Sequence, residues 1–237
     1  MVRDSIAVIL ARGGSKRIPK KNIIKFKDKP LIAWTIDAAI SSNLFTKVLV
    51  STDSNEIAKV SANYGAEVPF LRDSANDDFS SASQATCRAV EQAEEYWGTK
   101  FNIVVQLMAN CPLRSSKEVK DSMKNFIEKK AKSQISCFKF CWMNPWWAIK
   151  IKKDGRSEKL FPEASTKRSQ DMPDLFCPTG AIWIAKRSNL MSSRNFYIKD
   201  TTYYPINWIS AVDIDNYEDL EMANLCYDLK LKKMINS

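Results

Sequence analysis

The chain contains no histidine in 237 residues. That absence removes an imidazole metal ligand, a histidine general base and any Ser-His catalytic pair. Glycine is scarce too, with six in all, so the adjacent pair Gly13-Gly14 marks a place where backbone can approach a ligand closely. No apolar run nears the roughly 20 residues of a membrane-spanning helix, and the first residues run straight into a strand without a signal-peptide layout. The expectation is a cytoplasmic protein with no membrane partner. Cysteines are few and scattered, and only Cys137 and Cys141 stand close together. A zinc site there would need two further ligands that the local sequence does not offer, so the thiols read as reduced and mostly buried.

What is present is charge. A formal net charge of +9 invites a nucleic-acid reading. The excess, however, is spread over Lys230, Lys232 and Lys233, the stretch around Lys129–Lys132, and one loop near the start. No basic-aromatic module such as an RNA-recognition sheet motif accompanies it. A lysine-rich solvated surface accounts for most of the excess, and no nucleic-acid partner is expected.

The loop near the start is different. Ile6 to Ala11 is a short apolar run rich in β-branched residues, which reads as a buried strand. It breaks at Gly13-Gly14 into a segment carrying Arg12, Lys16, Arg17, Lys20 and Lys21, five cations in ten residues. Backbone N–H groups aimed inward, the Ser15 hydroxyl and these cations suit a polyanion such as a nucleoside triphosphate. The bland alternative is a solvated lysine-rich loop, but in open α/β sheets ligands bind at the carboxyl ends of strands, which is where this cluster falls. It is neither a P-loop nor a Gly-x-Gly-x-x-Gly fingerprint.

Beyond it, strand and helix alternate. Pro30-Leu31 opens a helix over Leu31–Ile40. A strand at Thr46–Ser51 leads to Ser54 as N-cap of a helix over Glu56–Tyr64, closed by Gly65. Ala66–Phe70 is expected as a third strand, followed by a helix from Ser80-Ser81 to about Trp97. Phe101–Leu107 is a fourth strand, Ser116–Lys130 an amphipathic helix, and Gln134–Phe140 another strand. Between 141 and 178 the composition shifts to Trp142, Trp146 and Trp147 around Pro145, a turn at Asp154-Gly155, and a polar loop. Pro178–Ile184 returns as a strand, and a long helix covers Tyr217–Leu231. The pattern implies one α/β domain over 1–237, a doubly wound and mostly parallel sheet. Just before the last helix, Asp213 and Asp215 share one face of an extended segment, since side chains alternate with period two. Two isoleucine-flanked carboxylates are costly to bury without a counter-charge, which favours a bound cation; a helix-capping role for one of them is the alternative.

The string Ala11-Arg12-x-x-Ser15-Lys16-x-Ile18-x-x-Lys21-Asn22 resembles the N-terminal motif of the CMP-sialic acid synthetases, cytidylyltransferases that activate sialic acid and related nine-carbon 2-keto acids. Leu71-Arg72 followed by Asp77 and Ser80-Ser81, then Pro112-Leu113-Arg114, Pro178–Ile182 and Ile214-flanked Asp213 and Asp215, extend the resemblance across most of the chain. It implies a fold of the nucleotide-diphospho-sugar transferase type with a dimerisation arm at about 141–178, and a homodimer. It implies transfer of CMP from CTP to a sialic-acid-like sugar acid, with pyrophosphate released. Catalytic roles fall on Arg12, Lys21, Asp213 and Asp215, with the two aspartates holding Mg²⁺. Nucleotide contacts fall on Ala11, Arg12, Gly13, Ser15, Lys16, Asn22, Arg72, Asp77 and Ser81. Sugar contacts fall on Asn110, Arg168, Trp183, Phe196 and Tyr197.

The chain departs from the family's pattern where the acceptor would bind. Met108 stands in place of a sugar-contacting glutamine, with Gln106 two residues earlier, while Cys177, Thr179 and Trp183 replace arginine, asparagine and tyrosine. A Kdo cytidylyltransferase, a sugar-1-phosphate nucleotidylyltransferase and, from another class, a basic nucleic-acid-binding module are the competing readings.

Overall fold

The computed structural model describes residues 4–74, 80–141 and 143–235. Its centre is strand β1 (Ser5–Leu10). Ile6 and Val8 face one side, against Leu49, Cys87 and Val90. Ala7 and Ile9 face the other, against Ile32, Ile36 and Val50. A strand that is apolar on both faces can only be satisfied in the middle of a sheet covered by helices on both sides.

In chain order a two-residue-per-strand hairpin, β2 (Lys25–Phe26) and β3 (Lys29–Pro30), leads into α1 (Leu31–Ser41). Then come β4 (Lys47–Ser51), α2 (Asn55–Asn63), α3 (Ala82–Trp97), β5 (Ile103–Met108), α4 (Ser116–Glu128) and β6 (Ser133–Lys139). A second hairpin, β7 (Ile149–Ile151) and β8 (Ser157–Lys159), precedes β9 (Phe176–Lys186), α5 (Arg187–Ser193), β10 (Thr201–Pro205) and α6 (Tyr217–Ile235). The main sheet has the order β10-β6-β9-β5-β1-β4. All of its neighbours pair in parallel except β9, which runs antiparallel to both β5 and β6. The mostly parallel, doubly wound sheet is therefore present.

The expected third strand at 66–70 is not. Its only ladder contact is a single parallel bridge between Leu49 and Glu67. Gly65, at φ +87°, turns the chain beside β4. Glu67 exchanges hydrogen bonds with Val48 and Val50, and Pro69, having no N–H, ends the ladder there.

The cores lie on either side of the sheet, with a third cluster, Ile18, Phe26, Leu113, Ile209, Ile214 and Cys226 among it, joining the first hairpin to α6. The 141–178 segment stands outside all three. It is tied locally, by the Trp146 indole donating to Pro173 O at 2.9 Å and an edge-on Trp146–Phe161 contact. Trp147, Ile149, Ile151 and Phe176 remain exposed. Trp142 lies outside the described residues.

Candidate active site

In register, Leu10 of β1 lies opposite both Ser51 of β4 and Met108 of β5, so three parallel strands end together. Above these carboxyl ends is an open cleft of about 610 Å³. Among the described residues its walls carry Arg12, Lys16, Arg17, Lys21 and Arg72, five cations against the one carboxylate of Asp215.

The first wall is the loop leaving β1. Ala11 is buried and its N–H donates to Ser51 O at 3.0 Å, holding the exit of the strand. Gly13 donates to Asp53 Oδ1 at 2.7 Å. A Cβ on Gly13 would come within 3.2 Å of the Ser54 Cβ, so a larger residue would push this loop off its seat. Buried Asn22 donates from Nδ2 to Arg12 O at 3.0 Å, so it closes the two ends of the loop on each other. Lys20, just before it, takes a left-handed turn at φ 54°. Ser15 faces the cleft from the middle of the same loop.

Arg72 forms the second wall. It is buried, and its guanidinium donates to Ser51 O at 3.1 Å. Burial lowers its pKa, the nearby Asp53 charge works against that, and Arg12 adds to it. Of the serine pair, Ser80 lines the cleft. The Ser81 hydroxyl instead accepts from Gln84 N, and Ser81 N donates to Gln84 Oε1, a capping box that starts α3. Asp77 lies outside the described residues.

The third wall joins the loop after β5 to the segment before α6. Asn110 donates from Nδ2 to Ile214 O at 3.2 Å and to Asp215 Oδ1 at 3.3 Å, and its backbone carbonyl accepts from Ile214 N at 2.9 Å. Its amide is thus turned toward Asp215. Ile214 is fully buried between the two aspartates. The Asp215 carboxylate also takes Lys21 Nζ on Oδ1 at 2.8 Å and Arg17 Nη2 on Oδ2 at 2.9 Å. Burial would raise its pKa, but the two cations reverse that and leave it below the usual carboxylate range. Asp213 is exposed, does not line the cleft, and has no ion-pair partner among the described residues. The protein crowding it on its inner side, and then the Asp215 charge, push its pKa up.

These residues fit magnesium. Among the described residues no group of three or more His, Cys, Asp or Glu side chains could enclose a metal, so what they offer an ion here is the aspartate pair. Magnesium is commonly held by one or two carboxylates, keeping water and substrate phosphate oxygens as its other ligands.

The residues assigned to the sugar are not all gathered here. Arg168 lies in the arm, paired with Asp171 at 2.8 Å. Trp183, Phe196 and Tyr197 form one aromatic cluster with centroids 5.4 Å apart, where Phe196 is fully buried and Tyr197 half open. The Trp183 indole donates to Thr179 O at 2.8 Å. None of these four lines the cleft. Residues that do line it and that the sequence did not single out are Arg17 as a partner of Asp215, Ser80, and the floor made by Leu10, Ala82 and Ala85. Small residues at 82 and 85, one helical turn apart, were the available signal for that floor.

Residues 6–231 match the family model described as cytidylyltransferase. The pseudaminic acid cytidylyltransferase of Campylobacter jejuni is 31% identical over 94% of this chain and 96% of its own length. The CMP-N,N'-diacetyllegionaminic acid synthase of Legionella pneumophila is 29% identical over 97% and 99% respectively. Among solved structures, a CMP:2-keto-3-deoxy-manno-octonic acid synthetase complexed with CTP superposes with a TM-score of 0.70 at 16% identity, covering 96% of this chain and 99% of that one; it speaks for the fold alone. A match over nearly the whole chain places this protein in the cytidylyltransferase family.

Proposed function

We propose that the protein transfers CMP from CTP to the anomeric hydroxyl of a sialic-acid-like 2-keto-3-deoxy sugar acid and releases pyrophosphate. The observation that carries this reading is the cleft itself, where the described residues set five cations around Asp215 at the ends of three parallel strands, in a chain of the cytidylyltransferase family. The sugar oxygen attacks the α-phosphorus in line, the bond to the β-phosphate oxygen breaks, and the hydroxyl proton is lost. Such chemistry rests on positioning and on neutralising charge, which a site without histidine can supply.

Arg12, Ser15 and Lys16 hold the triphosphate in this scheme, with Lys21 nearest the α-phosphate. Asn22 keeps the loop closed over the cytidine side, and Arg72 sits beneath it. Asp213 and Asp215 hold Mg²⁺, which would neutralise charge on the phosphate oxygens. A nine-carbon acid is favoured over the eight-carbon one because relatives near 30% identity are named for pseudaminic and legionaminic acids. The exposed arm is read as a homodimer contact. No described helix is long and apolar enough to cross a membrane, and the cytoplasm is the location this reading assigns.

Pyrophosphate release from CTP, measured with a panel of nine-carbon keto acids, Kdo and sugar-1-phosphates, tests the proposal. Release with a nine-carbon acid is expected. Turnover only with Kdo or a sugar-1-phosphate would overturn the acceptor, and nucleic-acid binding without any turnover would overturn the reaction.

A further inference from the structure

Asp215 is more heavily committed than a waiting metal ligand should be. Its Oδ1 is closed from two directions, by Lys21 at 2.8 Å and by Asn110 at 3.3 Å. Neither donor is free to leave easily. The Lys21 side chain is only 17% exposed, and Asn110 is fixed by its exchange with Ile214. Oδ2 has one described partner, the Arg17 guanidinium at 2.9 Å, whose side chain is 64% exposed. A divalent ion on Oδ2 would have this like charge as its neighbour, and the two repel at such range. The more exposed group, on a long flexible stem, is the one that gives way.

We infer that Arg17 is a place-holding cation: it occupies the Asp215 oxygen that the metal takes, and on the metal's arrival it moves to the triphosphate. This rests on the magnesium reading above. Arg17 already lines the cleft alongside Lys16 and Arg12, so a polyanion there offers it a second partner with no change of backbone. The exchange keeps the Asp215 carboxylate partnered throughout. Without ligand, Asp215 neutralises part of the cationic wall. With ligand, the metal covers Asp215, and Arg17 is free for phosphate oxygens that have just arrived. Metal and nucleotide therefore assist one another's binding, through one side chain that each of them needs moved.

Mn²⁺ serves as the probe, titrated against the whole protein without nucleotide and followed by the loss of the free-ion paramagnetic resonance signal. Arg17→Gln should bind Mn²⁺ about two- to five-fold more tightly than the parent, the range expected for freeing a carboxylate from one exposed ion pair, while its affinity for metal-free CTP falls. Lys20→Gln is the control. It removes the same charge from the same loop, but from a lysine paired with Glu56, and should leave Mn²⁺ affinity unchanged. Asp215→Asn should lose the site. Unchanged or weaker Mn²⁺ binding by Arg17→Gln, or equal tightening by Lys20→Gln, overturns the inference and leaves the magnesium reading standing. If the parent's Mn²⁺ binding is absent or indifferent to Asp215→Asn, the magnesium reading falls, and the role of Arg17 with it.

Discussion

The Lys21 side chain is only 17% exposed, and its ammonium is held by Asp215 at 2.8 Å. A cation so fixed needs no reorganisation when charge develops on a nearby phosphate, and that is what gives electrostatic catalysis its size. Lys21→Ala should therefore lower kcat by about two to three powers of ten while circular dichroism stays unchanged. A kcat within a few-fold of the parent would make Lys21 an ordinary loop charge. The residue type and place of Lys21 were legible in the sequence because the loop follows directly from a strand that reads as buried. Its partner was not. Lys21 and Asp215 are 194 positions apart, and nothing in local pattern states which distant carboxylate a lysine will meet. The same holds for Arg17, which the sequence offers only as one more charge in a basic stretch.

At the scale of elements, apolar periodicity located the strands but not their directions. Pro178–Ile184 reads as a strand in either sense, because a run of buried residues carries no arrow. Only the structure makes β9 antiparallel. Strand β10 was missed for a related reason: Thr201–Pro205 is an edge strand with partly exposed, polar-aromatic faces, and its sequence lacks the apolar alternation that marks a half-buried one. The Ala66–Phe70 stretch shows the reverse error, a β-like composition stopped by one proline. The serine pair before α3 gives the sharpest division of labour. Ser81→Ala removes an N-cap and should cost about 1 kcal/mol of stability, visible as a lower Tm with an unchanged KM for CTP. Ser80→Ala should raise the KM for CTP, since Ser80 lines the cleft. A Ser81→Ala protein with normal Tm and impaired CTP binding would return the nucleotide contact to Ser81.

For the whole molecule, the arm leaves Trp147, Ile149, Ile151 and Phe176 exposed together on one excursion from the sheet, and a single chain gains nothing from such a surface. Sedimentation at micromolar concentration should give roughly twice the 27.0 kDa of one chain, and Trp147→Asp with Ile149→Asp should halve it; an active parent that sediments as a single chain would remove the dimer. The position of β9 has a further consequence, for synthesis. In the order β10-β6-β9-β5 the strand β6 touches nothing in the sheet until β9 exists, and between Lys139 and Phe176 lies the arm. At about 5–20 residues per second, a growing chain spends roughly 2 to 7 s with β4, β1 and β5 able to pair, the open edge of β5 bare, and β6 finished but stranded. Bare edges recruit other chains. The length of the arm is thus also a clock, and it sets how long each nascent molecule stays vulnerable on the ribosome.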